Sequence, residues 1–135
     1  MAELEGRSLE IVKEGKNYAV VSIPTEDGSV QAVVVWAHAD DDGNVTLNSA
    51  EGRAWPANLR KAERATVTMM ADGNPYEWVS IRGKLVGDTQ EGADEDINML
   101  AKKYIDEDVY PWKGPDEVRV KFTLEPEKVT YIKQG

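Results

Sequence analysis

A basic cluster lies in the segment 45–70, VTLNSAEGRAWPANLRKAERATVTMM, of a chain that is otherwise acidic. The pattern predicts a strand, a glycine-containing loop and then a helix. Hydroxyl groups, loop N–H groups and a helix start carry partial positive charge, and guanidinium groups add paired donors, so together they suit a phosphate or carboxylate. An alternative of equal weight is that the basic side chains form ordinary surface ion pairs with Glu51 or Glu63. The candidate anion ligands are Ser49, Arg53, Arg60 and Lys61.

The residue types that most hydrolytic and metal sites require are scarce. The sequence has no Cys and a single His, His38. A disulfide framework, a thiolate metal site and a Cys nucleophile are therefore excluded, and a multi-histidine metal centre or Ser-His pair within one chain is not expected. The acidic turn 40–44 lacks the ligand spacing of a calcium loop, so we interpret it as a solvated turn and expect no bound metal.

The charge balance bears on the class of partner. The 135 residues include 25 Asp and Glu against 16 Lys and Arg, a formal net charge of -9. A phosphate backbone would be repelled over most of this surface, which argues against nucleic acid as a partner. The first 15 residues lack the basic start and apolar run of a secretory signal, and no stretch approaches the roughly 20 apolar residues that span a bilayer. We expect a cytoplasmic protein without a membrane partner.

The hydrophobic pattern predicts one domain over residues 1–135, mainly β with short helices. A short opening helix should end at Glu14 or Gly15. The segments YAVVSIP, VQAVVVWAH and VTLN predict three strands with tight turns, an antiparallel meander. Helices are expected at 52–64 and 90–104, strands at ATVTMMA and YEWVSIRGKLVGD, and a last hairpin or bent strand at VRVKFTLEPEKVTYIK. About seven short strands interrupted by helices favour a small barrel over a sandwich.

The apolar run AVVVW, residues 32–36, predicts an oligomer. A short barrel closes poorly alone, and this run would be covered on both faces only if a second subunit packed against it. We therefore expect a homodimer, with twice the chain mass in light scattering.

Several segments, taken in order, resemble the split β-barrel flavin and deazaflavin proteins, the pyridoxamine 5'-phosphate oxidase-like superfamily. They are the opening helix with YAVVSIPTEDGSVQAVVVW, then VTLNSAEGRAWPANLRKAERATVTM, NPYEWVSIRGKLVGD, the helix ending LAKKYI, and VRVKFTLEPEKVTYI. The resemblance covers nearly the whole chain and is strongest to actinobacterial deazaflavin (coenzyme F420)-dependent reductases. It implies a split β-barrel homodimer that binds a flavin-like cofactor in a groove between its subunits.

The resemblance also implies which residues hold that cofactor. The family lays the strand backbone at Val35 and Trp36 along the cofactor ring, whose polar edge main-chain groups can hydrogen-bond. It holds the phosphate with the segment 49–60, in which Trp55 stands where many relatives have Lys. The implied cofactor-binding residues are Val35, Trp36, Ser49, Arg53, Ala54, Trp55, Arg60 and Lys61.

Three further residues are candidates for a substrate pocket. Tyr110 and Trp112 lie in a predicted loop before the last strand, where they would wall the pocket of the facing subunit or plug the barrel end. His38 follows Trp36 on the same strand face and would approach a ring or a substrate, although a lone His is more often a structural hydrogen-bonding group. Trp36 has its own alternative as a core or interface aromatic. No catalytic residue is assigned.

The expected function is that of an oxidoreductase, which transfers a hydride from reduced coenzyme F420 to an electron-poor double bond of a small organic substrate. Such a reaction needs alignment rather than a catalytic triad, because the cofactor carries the chemistry. The alternatives are an FMN-dependent oxidoreductase and a non-catalytic flavin- or deazaflavin-binding protein. Since Trp55 replaces a Lys, we expect the deazaflavin to bind more tightly than FMN, through charge contacts with Arg53, Arg60 and Lys61 that salt weakens.

Overall fold

Seven strands form one antiparallel sheet and three helices pack against it in the computed structural model, which describes residues 2–134. The strands are β1 (Ala19–Pro24), β2 (Val30–Val35), β3 (Ala37–Ala39), β4 (Val45–Ala50), β5 (Arg64–Ala71), β6 (Asn74–Thr89) and β7 (Arg119–Lys133). The helices are α1 (Gly6–Lys13), α2 (Ala54–Ala62) and α3 (Ala93–Ile105). None of the helices in this part of the chain is long and apolar enough to cross a membrane. The mainly β architecture with short helices that the sequence predicts is confirmed.

The sheet curls until its two edges meet. The strand order is β2-β1-β5-β6-β7-β4-β3, so β2 and β3 are the edges, yet only Trp36 separates them along the chain. Because consecutive Cα atoms are about 3.8 Å apart, the end of β2 and the start of β3 must lie close together at Trp36. The predicted meander pairs as expected, but its middle strand is broken: Val34 of β2 pairs with Val20 of β1, and His38 of β3 pairs with Thr46 of β4.

β6 and β7 are long, bent strands, not the short ones that the sequence predicts. They pair with each other, and the register shifts beside Gly83 and Gly87. A Cβ at Gly83 would lie 2.9 Å from Cβ of Leu124, so glycine is needed where the two strands approach closely at the bend. The segment 125–126 lies inside β7, and of the two forms predicted for the end of the chain the structure has the bent strand.

The core fills the inside of the curl. β4 is buried on both faces, while α1 and α2 cover one face of the sheet. The core's largest fully buried side chains include Phe122, Ile11, Ile23, Leu47, Leu59 and Met69. The site described below therefore rests on a rigid, close-packed barrel.

The opposite face of strands β2, β1, β5, β6 and β7 is open and uncharged along two adjacent rows. We call this surface the outer face; its cross-strand neighbours are Val34, Val20, Thr68, Ser80 and Thr130 in one row and Met70, Trp78 and Ile132 in the next. Val34 is 68% exposed, so the run AVVVW is not covered on both faces in a single copy, and the expectation that a second subunit covers it stays a prediction. β2 alternates between exposed and half-buried side chains, and β4 is the strand with both faces buried.

Helix α1 is tied to the sheet by one carboxylate. Glu77 of β6 accepts from Arg7 Nε at 2.8 Å and Arg7 Nη2 at 3.0 Å, and from the Tyr131 hydroxyl at 2.6 Å. The hydrogen bonds from Arg7 and Tyr131 lower the pKa of Glu77 to about 2. Paired bonds of this kind to a charged acceptor are stronger than neutral ones, so Glu77 fixes where α1 packs.

Acid should loosen this attachment over a defined range. Because the folded-state pKa of Glu77 lies below the unfolded-state value of about 4.5, the stability it contributes is present above pH 4.5 and is lost as the pH falls toward 2. We expect Glu77→Gln to lower the urea midpoint at pH 7 and to differ less from the wild type at pH 2.5. Glu10→Gln, an exposed carboxylate on α1 at 3.9 Å from Arg7, is the control. A Glu77→Gln deficit that stays constant with pH would contradict the assignment.

Candidate functional site

An open pocket of about 330 Å³ lies where the end of β2 meets α3 and the loop 106–118. Five of the residues predicted from the sequence line it: Val35, Trp36, Arg53, Tyr110 and Trp112. The volume is at the lower end of the range for ligand pockets, about 300–1,000 Å³. One copy of the chain thus offers space for a ring system rather than for a whole dinucleotide-sized molecule.

Four aromatic side chains form one wall of the pocket. This aromatic wall consists of Tyr18, Trp36, Tyr110 and Trp112. Tyr110 meets Trp36 edge-on at 6.0 Å between ring centroids, and Trp112 is tilted against Trp36 at 6.1 Å. Tyr18 and Trp112 are about 60% exposed, and apolar rings left in water at a concave surface are the usual mark of a binding site.

Trp36 is held in place from behind by α3. Its ring lies parallel to that of Tyr104, at 5.3 Å between centroids and 5° between planes. The Tyr104 hydroxyl donates to Asn17 O and accepts from the backbone N–H of Ala37. Burial raises the pKa of Tyr104, so the phenol stays neutral at physiological pH. The position of the Trp36 ring is therefore set before any ligand arrives.

Lys103 adds a second clamp at the same point. Its Nζ donates to Ala37 O at 2.7 Å and Val12 O at 2.8 Å and lies 4.8 Å from the Tyr104 ring centroid. Burial lowers the pKa of Lys103 to about 8. The Lys103 ammonium group therefore donates to backbone carbonyls behind the pocket, and these bonds stabilise the junction of β2 and β3.

A buried polar chain forms the floor of the pocket. Asn48 of β4 donates to Asp96 Oδ2 and to Ala93 O of α3, both at 2.9 Å. Its Oδ1 accepts from Arg119 Nε, also at 2.9 Å. The amide orientation is determined by these partners, since only Oδ1 can accept from a guanidinium. Asn48 thus joins the acid of α3 to the guanidinium of β7.

Arg119 and Arg53 bring two positive charges to the pocket. The Arg119 side chain is 3% exposed, and its guanidinium packs 5.1 Å from the Tyr110 ring centroid. The Arg53 side chain is 48% exposed. Both arginines reach the carboxylate of Glu117, at 3.0 Å from Arg119 Nη1 and 3.4 Å from Arg53 Nη2. The structure therefore places two guanidinium groups at the pocket, of which only Arg53 was predicted.

The rest of the predicted basic cluster lies elsewhere. Arg60 pairs with Glu51 and Asp88, each at 2.8 Å, and these two carboxylates raise its pKa above the ordinary value. Lys61 pairs with Glu26 at 2.9 Å on the far side of α2. The surface-pair alternative is thus correct for Arg60 with Glu51, and the structure does not bring Arg60 and Lys61 together with Arg53.

Three predicted residues on or beside α2 do not line the pocket. Ser49 is fully buried and its Oγ has no hydrogen-bond partner within residues 2–134. Trp55 packs in the core at 5.7 Å from the Phe122 ring, so it neither stacks in nor shapes the pocket. Ala54, the first residue of α2, is exposed but does not line the pocket either. The first turn of α2 therefore packs against the barrel core through the side chain of Trp55.

His38 lies on β3, two residues after Trp36. It is half buried, and its Nδ1 has no partner among the described residues. Burial, followed by the charge of Lys103, lowers the pKa of His38, which keeps the imidazole neutral at pH 7. It does not line the pocket that Tyr110 and Trp112 share. A role for His38 at a substrate is therefore not supported by its position.

Three polar or aromatic residues of the site are not among those predicted from the sequence: Tyr18, Asn48 and Arg119. The sequence pattern places Asn48 at the end of one predicted strand and Tyr18 at the start of another. The available signal was the alternation in β7, which puts Arg119 on the side opposite Val120 and Phe122. No group of three or more His, Asp or Glu side chains that could hold a metal ion occurs between residues 2 and 134.

Comparison by sequence finds neither a protein-family model nor a curated protein that matches the chain. Comparison by structure finds an F420 reductase with a TM-score of 0.79 and 17% identity, covering 93% of this chain and 98% of that one. A candidate pyridoxamine 5'-phosphate oxidase from Listeria innocua has a TM-score of 0.65 and 15% identity, covering 87% and 89%.

PhzG from Burkholderia lata 383, solved in complex with tetrahydrophenazine-1-carboxylic acid, has a TM-score of 0.64 and 15% identity, covering 92% of this chain and 73% of that one. At these identities the likeness concerns the fold. The predicted resemblance is thus confirmed at the level of architecture. The chain has the split β-barrel fold of the F420 reductase and the pyridoxamine 5'-phosphate oxidase-like proteins.

Proposed function

We propose that the chain is an oxidoreductase that binds the deazaflavin coenzyme F420 with its ring against the aromatic wall. The observation that carries this proposal is the wall itself: Trp36, fixed by Tyr104, stands beside the free edge of β2. A planar ring with polar edges needs an aromatic or apolar face and main-chain groups at its rim. Val34, Val35 and Trp36 line the pocket from an edge strand, where alternate backbone groups have no strand partner.

The residues present fit such a ring. Aromatic pairs prefer offset or edge-on geometry with ring centroids 4.5–7 Å apart. The contacts of Trp36 fall in this range, with Tyr104 on the side away from the pocket and with Tyr110 and Trp112 at the rim. Ile97 and Leu100 of α3 supply further apolar lining. The two arginines match an acidic tail, since guanidinium groups bind phosphate and carboxylate with paired hydrogen bonds.

The division of work follows from this arrangement. When bound, reduced coenzyme F420 would supply a hydride. The chain's own residues bind and orient: Trp36 and Tyr110 hold the ring plane, and Arg53 with Arg119 attract the acidic tail. Trp112, 63% exposed, lies where it would exclude water from one side of a bound ring. No triad is needed for such a reaction, because alignment lowers the barrier.

Two alternatives remain distinct from this proposal. An FMN-dependent oxidoreductase is favoured by the likeness to pyridoxamine 5'-phosphate oxidase-like structures. A non-catalytic flavin- or deazaflavin-binding protein is compatible with a pocket in which no catalytic residue is assigned. The substrate proposed for the enzyme is a small organic molecule with an electron-poor double bond.

Cofactor identity can be tested by binding alone. We expect coenzyme F420 to bind more tightly than FMN at 0.05 M salt, because its longer acidic tail reaches more of the charge near Arg53 and Arg119. The preference should shrink at 1 M salt, where the Debye length falls to about 3 Å. Protein fluorescence from the Trp residues would give both dissociation constants. Tighter FMN binding at both salt concentrations would favour the FMN alternative, and binding of neither would end the proposal.

We also propose that the protein is a homodimer that associates through the outer face. A contiguous surface with Val20, Val34, Met70 and Trp78 in its two central rows and no charge among them resembles the core of a stable interface. The aromatic wall lies at the end of β2, one edge of the sheet that carries this face. A second copy packed on the outer face would therefore border the pocket.

A further inference from the structure

One carboxylate stands between the two positive charges of the pocket. Glu117 Oε2 accepts from Arg119 Nη1 at 3.0 Å, and Glu117 Oε1 accepts from Arg53 Nη2 at 3.4 Å. The side chain of Glu117 is 15% exposed. We call this arrangement the Glu117 bridge. Each of its two oxygens is used on a different arginine, so a ligand anion that approaches either arginine meets a site in which one of the two positive charges is already offset.

The two arginines differ in mobility. Arg119 is held by Asn48 at Nε, by the Tyr110 ring and by nearly complete burial. Arg53 is half exposed and sits at the start of α2, with Glu117 as its only ion-pair partner among the described residues. The longer contact, at 3.4 Å, is thus the weaker one. An incoming anion would take Arg53 first and then share or replace Glu117 at Arg119.

The position of Glu117 in the chain allows its carboxylate to move away from the two arginines. Glu117 lies in the loop 106–118 rather than in β7, and its backbone N–H donates to Gly114 O at 3.3 Å within the same loop. Next to it, Val118 is 46% exposed. A change of side-chain rotamer would carry the carboxylate into water without disturbing a strand.

We propose that Glu117 is a specificity-determining residue of the pocket, an internal counterion that an anionic ligand must displace from Arg53 and Arg119. The competition lowers the affinity for every anion, and lowers it most in relative terms for weakly charged ones that cannot replace both contacts. Neutral ligands are unaffected. The Glu117 bridge thereby favours ligands with a multiply charged tail. This inference rests on the proposed function only for the identity of the ring that is attached to that tail.

Inorganic pyrophosphate is the probe that tests the bridge without any flavin. Binding is followed by Trp fluorescence, since Arg119 touches Tyr110, and Tyr110 touches Trp112. We expect Glu117→Gln to bind pyrophosphate about tenfold more tightly than the wild type. Glu107→Gln, in the same loop and with the same change in net charge, is the matched control and should bind as the wild type does. Arg53→Met added to Glu117→Gln should abolish the gain.

The wild type and Glu117→Gln also distinguish the contribution of the flavin ring to binding from that of the charged tail. FMN and riboflavin share a ring and differ by the phosphate, so Glu117→Gln should tighten FMN by a similar factor and leave riboflavin unchanged. Glu117→Asp, whose shorter side chain cannot reach both arginines, should give a smaller gain and serves if Glu117→Gln does not fold.

Each outcome decides. A Glu117→Gln affinity for pyrophosphate that equals that of Glu107→Gln, or falls below the wild type, overturns the proposal, because Glu117 would then position the arginines rather than compete for them. Absence of any pyrophosphate and FMN binding in both proteins overturns it as well. A pyrophosphate gain without flavin or deazaflavin binding would uphold the bridge and sink the proposed function. Deazaflavin binding with the same affinity in the wild type and in Glu117→Gln would uphold the proposed function and overturn the role of the Glu117 bridge.

Discussion

Replacing Asn48 by Leu is expected to lower the free energy of unfolding by about 2–5 kcal/mol. Leu has nearly the same volume but neither donates nor accepts, so Arg119 Nε and the Asp96 carboxylate, both buried, would each lose a hydrogen-bond partner at 2.9 Å. Arg119 keeps its ion pair with Glu117 and Asp96 keeps Lys121 at 3.8 Å, so the cost is that of buried hydrogen-bonding positions left unfilled, which exceeds the net worth of the bonds themselves. Urea unfolding followed by Trp fluorescence measures the loss.

Asn58→Leu is the matched control. Asn58 lies on α2, half buried, and makes a single side-chain bond, to Gln31 Oε1 at 2.7 Å. Since both partners are near solvent, we expect its loss to change the free energy of unfolding by less than about 1 kcal/mol. If the two variants lost equal stability, the chain from Asp96 to Arg119 would be no stronger than a surface contact.

Val20→Glu is expected to convert the proposed dimer to a monomer. Val20 lies within the outer face, between Val34 and Thr68 on the neighbouring strands. In a two-fold interface each substitution occurs twice, and an unpaired carboxylate in a desolvated interface costs several kcal/mol. Dimer affinity should fall at least about a thousandfold, or about 4 kcal/mol at 1.4 kcal/mol per decade. Light scattering at low micromolar concentration would show half the mass of the wild type.

Val86→Glu provides the comparison for Val20→Glu. Val86 is 51% exposed at the register shift in β6, outside the rows that define the outer face. It should leave the mass unchanged. A wild type that is itself monomeric, or a Val20→Glu variant that keeps the wild-type mass, would remove the outer face as the dimer surface.

The sequence predicted local elements well where a short pattern is sufficient. The Asp27-Gly28 turn joins β1 to β2 as expected, and the helices near Trp55 and near Leu100 are both present. The change of sheet edge at Trp36 was missed. It depends on β4 pairing with β7, whose residues lie about 75 positions further along, and no local alternation encodes such a pairing.

For the candidate site too, local sequence patterns predict which way a side chain points, but not which distant element covers it. In the pattern VRVKFTL of β7, Val120 and Phe122 point into the core, which places Arg119 on the opposite side, normally the wet one. That side is covered by α3, whose Asp96 binds Asn48. The position of Arg60 outside the pocket has a related reason: its partner Asp88 comes from β6, 28 residues away.

The meeting of both sheet edges at Trp36 also bears on how the chain folds. The β1–β2 and β3–β4 hairpins close short loops and can form early, whereas β6 and β7 are separated by α3 and must find each other across a long stretch of chain. Trp36 can stack on Tyr104 only once both hairpins and α3 have docked. The ligand pocket is consequently among the last features to form in a refolding experiment, and a ligand that binds there would slow unfolding rather than speed refolding.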